Sequence, residues 1–383
     1  MAQALYIHWP FCLKKCPYCD FNSHVRDEVD TDTWLQALLA DMRYEASVAA
    51  NGPLTSIFFG GGTPSLMPPA LVAALLGEAK ELWGFAQDIE ITLEANPSSV
   101  EAARFATLAS AGVNRVSLGV QALDDAALRF LARLHGVEEA LRALDVAQGH
   151  FSRVSFDLIY GRPGQSLDDW DEELRRALAF GTEHLSLYQL TIEAGTRFAT
   201  DLRLGRFTMP DDDRQADLFA LTRVVTSGAG LSAYEVSNHA RPGAESRHNL
   251  TYWRYGDYMG IGPGAHGRRG GVATVRHRKP ENWLTAVANT GHGLSEARTL
   301  GNQEAAGEAL MMGLRLVEGV DLTMLEKRFG SSLWTVLDQD KVRLLARLNL
   351  VHRTGDRIML TDAGAPLLDA VLGELMRPAA LAA

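Results

Sequence analysis

Cysteine is scarce in this chain of 383 residues: there are 3, and all fall between positions 12 and 19. Three cannot close a disulfide framework, which excludes a small secreted scaffold stapled by crosslinks. Cationic charge is not in excess either, with Lys+Arg 37 against Asp+Glu 47 and a formal net charge of -10. General affinity for a phosphate backbone needs clustered Lys and Arg, so no nucleic-acid partner is expected. An anionic ligand held in a local basic pocket is still compatible with that balance. No run reaches the roughly 18 apolar residues of a membrane-spanning helix. The opening MAQALYIHWPFC also lacks the basic start and long apolar run of a signal peptide. The expectation is a cytoplasmic protein that meets a membrane only at its surface or through a partner.

What is present is a repeated unit of strand, turn and helix. Candidate strands run over 4–9, 55–59, 89–93, 115–118, 154–159 and 184–190, with amphipathic stretches such as 31–50 and 69–83 between them. Such alternation implies βαβ units and a parallel sheet. Six units are too few for an eightfold barrel, so the expected class is α/β, an open partial (β/α)6 barrel. Ligands of such sheets bind beyond the C-terminal strand ends, where HWPFCLKKCPYCDF, GGGTPS, LEANPSS, LGVQAL, DLIYGRPGQ and YQLTIEAGT all fall. After a helix near 211–228 the pattern changes to an aromatic, Gly- and Arg-rich segment. The end then reads as a helix, a hairpin with its tip at Thr354-Gly355-Asp356, and another helix, which resembles a winged helix. Two domains are expected: 1–230, the barrel, and 231–383, mainly helical.

Cys12-x-x-x-Cys16-x-x-Cys19 follows the first strand directly. Three thiolates at this spacing can each take one corner of a 4Fe–4S cubane, leaving one iron open to a further ligand. Zinc with His8 or His24 as fourth ligand, or a redox C-x-x-C, are the alternatives. Neither uses the spacing as well: no second zinc half-site follows, and a third cysteine is superfluous in a redox pair.

YIHWPFCLKKCPYCDF strongly resembles the cluster loop of radical S-adenosylmethionine (SAM) enzymes. More narrowly, it resembles the branch containing oxygen-independent coproporphyrinogen III oxidase and the HemW heme chaperones, and the similarity extends loop by loop over nearly the whole chain. The resemblance implies a 4Fe–4S cluster on Cys12, Cys16 and Cys19, with SAM on its open iron. Gly61, Gly62 and Thr63 of the GGTP motif would contact the methionine end of SAM. Glu94 of LEANP, Gln121 of GVQ, Arg133 in the following helix and Asp157 of DLIYG match further SAM contacts. Tyr6 would lie near the cluster or SAM, and Tyr18 would contribute mainly backbone. Read alone, each has a plainer use: the glycines as a tight turn, through which free N–H groups can also reach an anion, Glu94 as a cap or ion pair, Tyr6 as core.

His248-Asn249-x-x-Tyr252-Trp253 is the second constellation. On residue type alone it is a buried histidine in an aromatic core, or an axial iron ligand beside rings that pack on a porphyrin. It resembles the motif associated with heme in HemW proteins, which implies His248 as heme ligand. His266 is a rival, and His8, His24 and His239 are weaker ones. Arg247, Arg254, Arg268 and Arg269 would neutralise heme propionates.

Two departures from the oxidase are visible. Its fourth cysteine, two places after the third, is Phe21 here, and only five residues precede Tyr6, leaving no room for the oxidase's upstream closing segment. The resemblance therefore implies a heme chaperone that binds a 4Fe–4S cluster, SAM and heme. It would deliver heme to apo-haemoproteins such as respiratory-chain enzymes, with a homodimer in view. Oxidative decarboxylation of coproporphyrinogen III is the enzyme alternative, and a zinc-stabilised binding protein the third.

Overall fold

The structure, a computed structural model, describes residues 3–26, 28–49, 52–330 and 332–377. Residue 50, the end of the expected first helix, and the outer limits of both expected domains lie outside the described residues. Six strands follow the sequence pattern: β1 (Gln3–Trp9), β2 (Leu54–Gly61), β3 (Phe85–Ala95), β4 (Arg115–Gln121), β5 (Arg153–Tyr160) and β6 (His184–Gln189). Successive side chains on a strand point to opposite faces, and here the two faces differ in chemistry. Leu5, Ile7, Ile57, Phe59, Leu93, Val116, Leu118 and Phe156 enter one apolar cluster with the helices. Those helices include α1 (Thr31–Val48), α2 (Pro69–Trp83), α3 (Val137–His150) and α4 (Leu167–Leu178). The opposite face is polar and bonded laterally. Arg115 donates to Ser155 Oγ at 2.8 Å, and Ser117 Oγ donates to Asp157 Oδ1 at 3.2 Å.

The expected helix near 211–228 is α5 (Asp212–Gly228), capped by Asp211. Beyond it the chain adds β7 (Ser232–Ala233), β8 (Asn238–Ala240), α6 (Arg247–Trp253), β9 (Asp257–Ile261), β10 (His266–Arg269), β11 (Val272–Arg276), α7 (Pro280–Thr290) and β12 (Leu294–Thr299). All these strands join the same sheet, whose order is β12-β11-β10-β9-β1-β2-β3-β4-β5-β6-β8-β7. β1 is therefore not an edge: β9 pairs with it in parallel, Gln3 opposite Asp257 through Ile7 opposite Ile261. Chain from both sides of residue 230 builds this one sheet. Among the described residues the two ends of the order do not pair, so the barrel is open, as expected of an α/β partial barrel.

The added strands are locked to α1 by buried charge. Arg276 donates to Asp41 Oδ2 at 2.6 Å and to Glu45 Oε1 at 2.8 Å, and Arg269 donates to Glu45 Oε2 at 2.6 Å. Asp41 also accepts the Gly262 and Gly293 amides. Removing one partner of a buried pair strands the other charge and costs about 3–5 kcal/mol. Arg276→Ala is thus expected to lower unfolding free energy by about that amount. An unchanged urea midpoint would show the network to be dispensable.

A second apolar cluster holds Tyr255 and residues from Leu300 to Met376. It contains α8 (Asn302–Gly313), β13 (Val320–Asp321), α9 (Leu322–Phe329), α10 (Gln339–Arg347), β14 (Val351–Thr354), β15 (Arg357–Leu360) and α11 (Leu368–Leu375). The small sheet runs β13-β15-β14. Gly355 turns the β14–β15 hairpin with φ 59, so the expected order of helix, hairpin and helix is present in α10, β14–β15 and α11.

Candidate functional site

The cysteine loop leaves β1 through Pro10 and is fastened at both ends. Phe11 and Cys12 pair in parallel with His24 and Val25, and Cys19 N–H donates to Cys16 carbonyl at 3.2 Å. Phe11 anchors it below, edge-on to Trp9 at 5.1 Å and to Trp34 of α1 at 4.9 Å. Downstream, Asn22 Nδ2 donates to the Pro263 and Arg278 carbonyls, each at 2.9 Å.

The glycine run that follows β2 does something other than expected. Its amides are not free: Gly61 N–H donates to Glu94 Oε2 at 3.3 Å, Gly62 to Trp9 carbonyl at 2.7 Å, and Thr63 to Phe11 carbonyl at 2.8 Å. They tie the cysteine loop to the sheet rather than offering donors to an anion. What the glycines supply is space. A Cβ on Gly62 would sit 2.6 Å from Phe11 O and 2.9 Å from Cys12 Sγ, and Gly61 has φ +117 with His8 and Trp9 equally close.

Eleven of the residues expected around the cluster and SAM line one cleft of about 220 Å³ at the C-terminal strand ends: Cys12, Cys16, Tyr18, Cys19, Gly61, Gly62, Thr63, Glu94, Gln121, Arg133 and Asp157. Burial pushes the Cys12 and Cys19 thiols up, and the neighbouring sulfurs push the same way. Burial pushes Glu94 up to about 8, with Asp157 adding to the shift, and burial raises Asp157 to about 6. Near neutrality Glu94 thus keeps its proton unless a positive group enters, while Asp157 ionises at a higher pH than an ordinary carboxyl. Among the described residues Glu94 caps no helix and forms no ion pair.

Arg133 lies in the loop between helix Asp125–Phe130 and α3, not in a helix. Ala132 beside it takes φ 54, and the turn aims the guanidinium inward. Arg133 donates to Cys16 Sγ at 3.3 Å, Asn96 Oδ1 at 2.5 Å and Gly119 O at 2.9 Å. It also reaches the Tyr18 hydroxyl at 3.5 Å, so Tyr18 contributes its side chain, not its backbone alone. Gln121 takes φ 73, uncommon for a side chain of its size. Its Oε1 and the Arg133 Nε are buried without a partner. Unpartnered buried polar atoms are costly, and both residues line a cleft with room for a polar ligand.

The donor set fits a cluster better than a single ion. Zinc draws its ligands to one point at about 2.0–2.3 Å, and among the described residues no three Cys, His, Asp or Glu donors gather that way. A cubane instead spreads three thiolates over three irons.

Tyr6 and His248 do not line the cleft. Tyr6 is half-buried, its hydroxyl 2.9 Å from His8 Nδ1. His248, on α6, is 4 % exposed, stacked on Phe58 at 4.9 Å, with Nδ1 3.3 Å from Ser56 Oγ. Burial lowers its pKa to about 3, so the ring is neutral. The four arginines expected to meet propionates are already engaged. Arg247 pairs with Asp88, Arg254 with Glu318 and Arg269 with Glu45, while Arg268 lies 3.4 Å over the Tyr255 ring. Of the rival histidines, His8 and His239 are buried, His24 is half-buried and His266 is exposed.

Asn96, which bridges Arg133 and Thr63 Oγ1, and Ser117, which supports Asp157, were not singled out from sequence. The strand-end rule marks Asn96, in the same LEANP loop. Alternation marks Ser117, a polar residue between Val116 and Leu118.

Comparison with known proteins agrees with this geometry. A family model described as Radical SAM superfamily matches residues 6–177, and one described as HemN C-terminal domain matches 300–367. Heme chaperone HemW of Mycobacterium tuberculosis is 36% identical over 377 residues, 97% of this chain and 94% of that protein. Heme chaperone HemW of Escherichia coli is 45% identical over 267 residues, covering 69% and 70%. The mouse mitochondrial protein named radical S-adenosyl methionine domain-containing protein 1 is 44% identical over 326 residues, covering 83% and 74%. The structure of Escherichia coli coproporphyrinogen III oxidase superposes with a TM-score of 0.84 at 22% identity over 97% of this chain and 89% of that one, a likeness of fold. This chain belongs to the radical SAM superfamily, and within it to the HemW family.

Proposed function

We propose that the protein is a heme chaperone that holds a 4Fe–4S cluster on Cys12, Cys16 and Cys19, SAM in the cleft beside it, and heme for transfer to apo-haemoproteins. The observation that carries this is the convergence of three thiols, two acids of raised pKa and Arg133 on one cleft, in a chain whose relatives are named heme chaperones. A cluster held by three thiolates supplies an iron with a free coordination position. The residues of the chain then orient what binds there. Glu94 and Asp157 receive the cationic part of SAM, and Gln121 Oε1 and Arg133 Nε supply the remaining acceptor and donor. Tyr6 acts from behind, holding His8 and through it Asn22, whose carbonyl lies 2.9 Å from His8 Nε2.

His248 is the proposed axial ligand of heme. Its ring is neutral, as ligation requires, and reaching iron needs α6 to swing away from Phe58 and Ser56. The proposed compartment is the cytoplasm; no helix among the described residues is long and apolar enough to cross a membrane. Heme titration of the anaerobically reconstituted protein tests the function, with the Soret band as readout. Saturable binding by wild type and a shifted, weakened band in His248→Ala are expected. No heme binding by wild type, or anaerobic turnover of coproporphyrinogen III with SAM and a reductant, overturns the chaperone proposal. An unchanged band in the variant overturns the ligand.

A further inference from the structure

Large exposed apolar side chains are scattered over most of this surface, but at the mouth of the cleft they collect. Leu13, Phe21 and Leu134 are 62%, 63% and 66% exposed, and all three line the opening. Val25, 44% exposed, pairs with Cys12 in the short strand that closes the cysteine loop. The three come from two separate loops, one on each side of the cleft. Leu13 and Phe21 bracket the cysteines, and Leu134 follows the left-handed turn at Ala132. Exposed apolar groups converging from unrelated segments, inside a site, mark a binding surface and not incidental exposure.

The charge on that rim is complementary to one class of ligand. Lys14 and Lys15 are exposed at the same opening. Among the described residues Lys341 is the only lysine in an ion pair, so both rim ammonium groups are unpaired. Arg247, Arg254 and Arg269 are engaged with Asp88, Glu318 and Glu45, and Arg268 is packed on Tyr255. Glu94, Glu101, Glu139 and Asp157 are the acidic residues of the lining, and Glu139 and Glu101 accept the Ser99 and Asn96 amides at 2.7 and 2.8 Å.

From this geometry we infer that the cleft mouth is the seat where heme is received. The apolar face of the macrocycle rests across Leu13, Phe21 and Leu134, and its carboxylates meet Lys14 and Lys15. The inference rests on the proposal that the protein binds heme, and specifies where. Reception there needs no displacement of α6, which only ligation by His248 requires, because every group named is already at the surface. It also assigns a use to Phe21: an aromatic ring there offers a face for π contact with a planar ligand, which a thiol at that position would not.

The test compares Leu134→Ser, Phe21→Ser and the pair Lys14→Gln with Lys15→Gln, by heme titration of the reconstituted protein. Leu134 lies outside the cysteine loop, so its variant separates loss of the seat from loss of the cluster. Iron and sulfide content is measured on each variant. Either apolar substitution is expected to weaken heme binding by about tenfold, since each uncovers much of one side-chain contact. The lysine pair is expected to lose about threefold at low salt and less at high salt. Heme dimethyl ester, with no free carboxylates, should bind wild type and the lysine variant alike. Wild-type heme affinity in Leu134→Ser and Phe21→Ser overturns the seat while leaving heme binding itself intact. So does a change confined to self-association by light scattering, which would make the occupant a second copy of the chain. If wild type binds no heme at all, the functional proposal fails, and the seat with it.

Discussion

Cys16→Ser is expected to yield a colourless protein. Iron and sulfide should fall from about four of each per chain to well below one, with loss of the broad visible absorbance. The physical reason is the donor count. The chain has 3 cysteines in all, and one iron of the cubane already lacks a thiolate. Losing another leaves two irons without one, and a serine hydroxyl stays protonated near neutrality and does not replace it. Cys16 is the informative choice because it is half-exposed, so the fold loses little packing, and because Arg133 donates to its sulfur at 3.3 Å. The melting temperature of the cluster-free protein should be nearly that of cluster-free wild type. A wild-type protein that purifies anaerobically without colour and with one zinc per chain would sink the cluster assignment outright.

Affinity for SAM is expected to rise with pH, and Glu94→Gln to remove most of that rise. Without ligand, Glu94 is held up to about 8 and Asp157 up to about 6, burial being the main cause of each. Near neutrality Glu94 therefore carries its proton. A cationic ligand binds best to the ionised form, so its binding expels a proton, and each pH unit below about 8 costs up to tenfold in affinity. A charged hydrogen bond is worth about 1.5–3 kcal/mol, so Glu94→Gln should weaken SAM binding about ten- to hundredfold at pH 8.5. Isothermal titration at pH 6, 7 and 8.5 reads both effects, and parallel profiles for wild type and variant would rule the role out.

The same acids set a stability trend of determined sign. Their folded pKa values lie above the ordinary carboxyl range, so the folded state binds more protons than the unfolded one. Unfolding free energy then decreases as pH rises through about 6 and about 8. SAM-free protein should melt lower at pH 8.5 than at pH 6, and added SAM should recover the difference chiefly at the higher pH.

Much of the site was legible because its parts are local. Cys12, Cys16 and Cys19 share one loop, and GGTP, LEANP and DLIYG each end a strand whose alternation is written in the residues. The strand-end rule turns those loops into one rim without any long-range information. Arg133 shows where this stops. Its residue type and position were readable, but its loop conformation depends on a left-handed Ala132, which no propensity favours. The glycine run shows the same limit differently. Its need for small residues is local, whereas the fate of its N–H groups depends on carbonyls of Trp9 and Phe11.

The sequence by itself determined the six-strand repeat, the three-thiol donor set and the absence of a fourth thiolate, because spacing and composition are properties of the chain alone. Only the tertiary structure decided that β9 pairs with β1 and that Arg276 is sealed against Asp41 and Glu45. It also decided that His248 lies under Phe58 while Phe21 and Leu134 stand together at the cleft mouth. Each of these joins residues more than a hundred positions apart or sets one side chain's burial. Such outcomes depend on which surfaces meet when the sheet closes around its core, and hydrophobic periodicity specifies a face without naming its partner.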